Sequence, residues 1–253
     1  MGKKGKTLTQ KRISAPKVWK IPRKGFKFAP RTIPGPHPRE KSIPLQIIIR
    51  DLLGYALTRS EAKKILNKGH VAVDGRIRRE LKFPIGIMDV VSILPTGEHY
   101  RVFPAPKDRL ILHPISADEA NIKPCYIKNK HIIKGGHIQL TLHDGRNIII
   151  YVKDPRTPVE DVYKTHDTLV ITIPNQEIKE QITLKEGVLG LVISGKNMGY
   201  LGKIKTIRKS IGPHANIVEL MLSDGRVIET TMDYIFPFGV EKPVVSVPEV
   251  LIK

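Results

Sequence analysis

Apolar residues at Leu45, Ile48, Ile49, Leu52 and Leu53 fall at i, i+3, i+4, i+7 and i+8, the stripe presented by one face of an amphipathic helix. Pro44 suits the first turn of that helix, which needs no amide hydrogen, and Gly54 suits its end. A second helix is predicted to open at Thr58. Thr58 and Glu61 have the spacing of a capping box, and Ala62, Ile65 and Leu66 form the apolar side up to a stop at Gly69. Lys63, Lys64 and Lys68 take the outer side. Val71, Ala72 and Val73 then read as a strand, Asp74-Gly75 as a tight turn, and the segment from Arg76 as the return strand.

Further along, the pattern shortens to β-type runs. Segments 109–115, 138–142, 147–152, 168–173, 188–193, 202–207, 217–222 and 227–231 lie between turn residues at the spacing of a sandwich or barrel. The tripeptide Asp-Gly-Arg occurs at 74–76, 144–146 and 224–226, each time between such runs. This predicts three type I′ hairpins with solvated arginines at their tips. Two short helices and many strands make the fold class α/β in the broad sense: α+β, and mostly β.

Charge changes the reading of the first 41 residues. The chain of 253 residues carries a net +19, and thirteen cations opposed only by Glu40 place most of that excess before Ser42. Six prolines and isolated apolar positions (Val18, Trp19, Ile21, Phe26, Phe28, Ile33) offer little to offset conformational entropy. An extended basic arm that orders on a partner is therefore expected. Trp19, Phe26 and Phe28 between cations suit stacking on bases, for which a purely electrostatic arm has no use. No apolar stretch reaches the roughly 18 residues of a membrane span, and no apolar segment follows the N-terminal lysines, so a cytosolic protein is expected. One cysteine, Cys125, excludes an internal disulfide and a Cys-pair zinc site.

The second helix carries Arg59, Lys63, Lys64 and Lys68, and the hairpin beside it brings Arg76, Arg78, Arg79 and Lys82. Ammonium charges next to guanidinium forks grip phosphates. On Thr58-Arg59-Ser60-Glu61-Ala62-Lys63-Lys64-Ile65, Gly69 and Val71-Ala72-Val73-Asp74-Gly75-Arg76, this unit is similar to the RNA-binding alpha-L motif of pseudouridine synthases and tyrosyl-tRNA synthetases. Residues 190–197 nearly spell a P-loop. Asn197, however, stands where magnesium needs a Ser or Thr hydroxyl, and no helix pattern follows. Read instead as strand, glycine-rich turn and strand, residues 187–207 resemble a KOW motif. No acid occurs from 187 to 218, while Lys196, Lys203, Lys205, Arg208 and Lys209 do, a field that attracts phosphates. The nine histidines contain no His-Glu-x-x-His; His131, His137 and His143 are evenly spaced, but Gly135-Gly136 intervenes, so no metal site is expected. Neither a serine nucleophile elbow nor the Gly-Arg-Leu-Asp segment of pseudouridine synthases occurs, and no catalytic residue is expected.

The order of arm, alpha-L unit, β domain and KOW segment resembles one family across essentially the whole chain. Ala15-Pro16, Trp19, Arg23-Lys24, Pro34-Gly35-Pro36-His37, Lys82-Phe83-Pro84-Ile85-Gly86-Ile87-Met88-Asp89-Val90, Lys134-Gly135-Gly136 and Gly195-Lys196-Asn197-Met198-Gly199 carry the resemblance. The chain is identified as a member of the S4e family of archaeal and eukaryotic small-subunit ribosomal proteins, its compact length resembling the archaeal members. Ser194 stands where the family more often has a glycine. The resemblance implies four parts: an arm at 1–41, an alpha-L domain at 42–98, a central β domain at 99–178, and an SH3-like KOW barrel with a C-terminal extension at 179–253. It implies a non-catalytic constituent of the cytoplasmic ribosome, with small-subunit ribosomal RNA and neighbouring ribosomal proteins as partners and with no cofactor, membrane or small-molecule substrate. The RNA contacts expected are Lys17, Trp19, Arg23, Lys24 and Arg31 in the arm, the eight cations of the helix and hairpin, and Lys196, Asn197, Lys203, Lys205, Arg208 and Lys209 in the KOW segment.

Overall fold

The computed structural model describes residues 9–107, 109–154, 158–210 and 215–251. The first eight residues of the expected arm lie outside them, as does His214. Strand β1 (Ile43–Pro44) leads into α1 (Leu45–Ile47), which continues as a π-helical turn over Ile48–Leu52. Then follow α2 (Arg59–Asn67), β2 (Val71–Val73), β3 (Arg76–Ile77), β4 (Pro84–Ile85), β5 (Val90–Ile93), β6 (Glu98–Ala105), β7 (Arg109–Ile115) and α3 (Ala117–Ala120). The middle of the chain forms β8 (Ile122–Ile132), β9 (Ile138–Leu142), β10 (Asn147–Ile150), β11 (Thr168–Thr172) and β12 (Ile178–Ile182). The last strands are β13 (Leu189–Val192), β14 (Leu201–Arg208), β15 (Ile217–Leu222), β16 (Val227–Thr231) and β17 (Ile235–Gly239).

These strands make three five-stranded antiparallel sheets, ordered β3-β2-β5-β6-β7, β10-β9-β8-β11-β12 and β16-β15-β14-β13-β17, with β1 and β4 paired separately. The first sheet runs through the expected boundary at 98/99, because β6 pairs with β5 along its first half and with β7 from His99 to Ala105. The first helix also differs from expectation. Leu45 to Ile49 are all buried, Gln46 included, so the segment is covered on every side rather than along one stripe, and Leu53 N–H bonds back five residues to Ile48 O at 2.9 Å. Strands β8, β12 and β17 have no counterpart among the predicted runs. Each mixes charges, prolines or glycines into its run and so lacks a clean alternation.

The arm is corrected most. Residues 9–41 are folded against the body: Ala29 N–H bonds Gln10 O and Arg12 N–H bonds Lys27 O, both at 3.0 Å, closing a loop that buries Ala15, Trp19 and Ile21. Trp19 is 2% exposed, and its indole N–H donates to Ser42 O at 2.6 Å. Such a ring cannot stack on a base, which removes Trp19 from the expected RNA contacts. Part of the arm's charge is also consumed internally. Buried Arg12 donates to Pro22 O at 2.5 Å, and Arg23 donates to Ala15 O at 2.6 Å and Pro16 O at 3.2 Å.

One apolar core then joins parts far apart in sequence. Trp19 and Ile21 of the arm share it with Leu45 and Ile47 to Ile49, with Val102 and Phe103 of β6, and with Leu191, Phe236 and Phe238 of the last sheet. Close backbone approach fixes that last contact. A Cβ on Gly199 would lie 2.6 Å from the carbonyl carbon of Ala105, so only glycine lets the β13–β14 turn rest on the end of β6. Because Trp19 fills the junction, Trp19→Ala should lower stability by about 3–5 kcal/mol. Urea unfolding would measure the decrease, and limited proteolysis should show new cleavage within the arm; an unchanged midpoint would return the arm to the status of a tail.

Candidate RNA-binding surface

The basic helix and hairpin form as the residues dictate. Glu61 N–H donates to Thr58 Oγ1 at 3.2 Å while Thr58 N–H donates to Glu61 Oε2 at 3.3 Å, the reciprocal capping box. Ala62 and Leu66 are buried beneath α2, which leaves Arg59, Lys63, Lys64 and Lys68 exposed on its other side. Asp74 and Gly75 have φ of 49° and 73°, the two positive values of a type I′ turn, and Val73 faces Arg76 across it. Arg76 and Arg79 are exposed. Arg78 is half-buried, its guanidinium 4.5 Å from the Phe83 ring centre, and Lys82 is half-buried beside it in sequence. The other two Asp-Gly-Arg turns are different. Leu142 N–H bonds Arg146 O and Leu222 N–H bonds Arg226 O, with only Gly145 and Gly225 at positive φ, so these are three-residue hairpins with a glycine bulge.

The remaining expected contacts separate into exposed cations and internally paired groups. Lys17 and Lys24 are exposed on the arm and Arg31 is half-buried; Lys196, Lys203, Lys205 and Lys209 are exposed on the last sheet and its turns. Lys203 and Lys205 flank buried Ile204, so the alternation of β14 puts both on the solvent side. Asn197 instead donates to Glu229 O at 3.1 Å, and exposed Arg208 pairs with Glu219 and lies 3.8 Å from Glu229. The turn from β13 to β14 leads into a strand, so the P-loop likeness has no helix behind it.

A charged cluster at the junction of three modules is a feature that sequence reasoning missed. Lys123 of β8 is fully buried, and its Nζ lies 2.7 Å from Asp74, 2.6 Å from Asp89 and 3.0 Å from Asp144. Arg146 completes it, 2.7 Å from Asp74 and 2.9 Å from Asp144, so this arginine is a clamp rather than a solvated tip. His37 of the arm lies 2.9 Å from Asp89. Burial alone would push Lys123 down, yet Asp74, Asp89 and Asp144 hold it well above the ordinary lysine value. Burial would raise Asp144, but Lys123, His143 and Arg146 hold it at about 2; burial likewise opposes, and His37 and Lys123 overcome, so Asp89 is held well below the carboxylate range. The repeated Asp-Gly-Arg is the available signal. It reads as turn chemistry until β8 supplies the buried ammonium.

The three evenly spaced histidines do not converge on a metal. His131 is exposed, His137 accepts from Val152 N–H at 3.2 Å, and His143 stacks on Tyr126 with ring centres 4.9 Å apart. Burial lowers His143 to about 4, so the ring is neutral at pH 7 and its Nε2–H donates to Ile87 O at 3.2 Å. Ligand atoms of Cys125, His143 and Asp144 do lie within 4.8 Å of one another. The Lys123 ammonium already occupies the same carboxylate, and burial followed by Asp144 keeps the Cys125 thiol protonated, which is the wrong donor set for a cation.

A capped basic helix joined to an arginine hairpin, with unpaired cations on the flanking parts, defines an RNA-binding protein built on an S4-type module. Three family models match stretches of the chain: the S4 domain residues 43–91, the RS4NT (NUC023) domain 4–40, and the ribosomal family S4e 96–178. The small ribosomal subunit protein eS4 of Aeropyrum pernix is 47% identical over 249 residues, covering 98% of both chains. That of Methanocaldococcus jannaschii is 49% identical over 97% of this chain and 100% of its own. The crystal structure of the 30S ribosomal protein S4e from Thermoplasma acidophilum, 33% identical, superposes with a TM-score of 0.66 over 79% of this chain and 95% of that one. The chain belongs to the S4e family of ribosomal proteins.

The cluster sets an acid limit on stability. The depressed Asp144 contributes stability that is complete above its unfolded value near 4 and is lost as pH falls through about 2, an effect of about 2 kcal/mol. Lys123→Met leaves three carboxylates without their ammonium and should cost about 3–5 kcal/mol at pH 7. Urea unfolding from pH 7 to pH 2 checks both: the wild type should weaken steeply below pH 4 and the variant much less.

Proposed function

We propose that this chain is a structural, non-catalytic component of the small ribosomal subunit, held on the ribosome in the cytoplasm by its grip on folded ribosomal RNA and by neighbouring ribosomal proteins. The observation that carries this reading is that Arg31 of the arm, Arg59 of α2 and Lys82 line one cleft that has no acid among its lining residues. None of the three has a side-chain partner among the described residues. Cations left unpaired in this way are neutralised by phosphates, and their number sets the steepness of salt dependence.

The functional division follows the four sequence parts, with the arm, the S4 unit and the last sheet supplying phosphate contacts. Lys17, Lys24 and Arg31 of the arm, the cations of α2 and of its hairpin as far as Lys82, and Lys196, Lys203, Lys205 and Lys209 are the contact set. Arg23, Asn197 and Arg208 have internal partners and act in position rather than in grip. We read the last sheet, with its basic β13–β14 turn, as the KOW barrel. Phosphate contacts position these parts, and RNA shape supplies selectivity.

Replacing Arg76, Arg78 and Arg79 together by alanine should weaken binding to small-subunit ribosomal RNA and flatten its log–log salt dependence by roughly 0.7–0.9 for each phosphate no longer neutralised. Filter binding across a salt series reads this, and an unchanged slope would remove the hairpin from the contact set. Sedimentation of a cell extract in sucrose at moderate and high salt tests the larger reading: the chain should travel with small subunits in stoichiometric amount, and a mainly free pool would contradict it.

A further inference from the structure

The arm and the S4 unit enclose a cleft of about 510 Å³, a size at which clefts hold small organic groups, typically about 300–1000 Å³. Two phenylalanines line it. Phe26 is 76% and Phe28 54% exposed, with the Arg12 guanidinium 5.9 Å from the first ring and the Lys27 ammonium 5.7 Å from the second. Large aromatic rings left in water beside cations are platforms for a planar π-system.

Two glutamines line the same cleft. Gln10 is 3% exposed, and both its amide nitrogen and its amide oxygen are buried without a hydrogen-bond partner. Gln46 is 4% exposed, and among the described residues its side chain has no hydrogen-bond partner either. A buried amide that is left unsatisfied is costly, and native structures keep few of them. An amide presents a donor beside an acceptor, the complement of a nucleobase edge, and unpaired RNA bases are recognised by stacking on aromatics while their edges are hydrogen-bonded.

We propose that this cleft takes up one extrahelical nucleotide of the RNA, its base stacked on Phe28, its edge met by the amides of Gln10 and Gln46, and its flanking phosphates held by Arg31, Arg59 and Lys82. Arg50, which also lines the cleft, is already bonded to Asp51 at 2.7 Å and serves as wall. The inference rests on the RNA-binding reading above and adds to it a base-reading element within a surface that otherwise follows shape.

The test uses the full chain and small-subunit ribosomal RNA transcribed from the same genome, with dimethyl sulfate and a carbodiimide probing unpaired base edges. The wild type should protect one unpaired nucleotide. Phe28→Ala and Gln10→Leu should each expose it again and weaken binding about tenfold, or about 1.4 kcal/mol, with the salt slope unchanged because no cation is removed. Arg31→Gln should flatten the slope. Phe28 stands out in solvent, so Phe28→Ala is decisive even where Gln10→Leu disturbs folding. Wild-type affinity and an unaltered footprint in Phe28→Ala would overturn the proposal while leaving the general reading intact. Failure of the wild type to bind the RNA would sink the general reading first. Absence of the variant from assembled particles with unchanged binding to naked RNA would assign the cleft to a neighbouring protein and overturn the proposal as well.

Discussion

One ammonium group surrounded by three carboxylates decides how the parts of this chain sit together. Lys123 reaches Asp74 from the first sheet's hairpin, Asp89 from the turn ahead of β5, and Asp144 from the second sheet's hairpin, all within 3.0 Å. Removing such charges from water is expensive, and their mutual attraction offsets that cost only when the geometry is good and every acceptor is engaged. Here it is. Val90 N–H takes Asp74 Oδ1, Gly86 N–H takes Asp89 Oδ2, Arg146 N–H takes Asp144 Oδ1, and the Arg146 guanidinium shares Oδ2 of Asp74 and of Asp144 with Lys123. An apolar contact of equal area would hold the modules as firmly but would let them slide, whereas this cluster admits one arrangement.

The arm is tied to the same point. His37 meets Asp89, and its ring lies so close to Gly86 that a Cβ there would fall 2.3 Å from it. With Trp19 buried at the other end, the arm is held at two places, and its turn between residues 10 and 29 becomes a fixed part of the surface. Cations then fall into two classes. Arg12, Arg23, Lys123 and Arg146 bond to the protein and build the frame, while Arg59, Arg79 and Lys205 face solvent from positions that the frame sets.

Much of this is legible in the residues. The Thr58–Glu61 capping box, the Asp74-Gly75 turn and strands β7, β9, β15 and β16 follow from local chemistry, because their spacing is set by the backbone alone. What stays hidden depends on partners distant in sequence. Trp19 among prolines and lysines reads as a base-stacking ring until the core that receives it is assembled from Leu45, Ile47 to Ile49 and Phe238. Likewise β8, with Lys123, Pro124 and Cys125 in succession, has no apolar alternation to announce it, yet it is the central strand of its sheet. Charge sums locate the basic segment correctly and misjudge its state, since charge does not report which cations carbonyls will take up.

A folded arm alters the energetics of binding. A segment that orders only on contact gives up conformational entropy at that moment, about 1–2 kcal/mol per residue for the backbone, and this subtracts from affinity. Here that cost is met during folding, by the burial of Ala15, Trp19 and Ile21 and by the carbonyl bonds of Arg12 and Arg23. The cations of the arm are presented already in place, so the free energy of their phosphate contacts goes into holding RNA rather than into arranging the protein. The same rigidity gives selectivity: a preformed set of charges fits one disposition of phosphates and excludes others, which an unfolded arm of equal charge would accept.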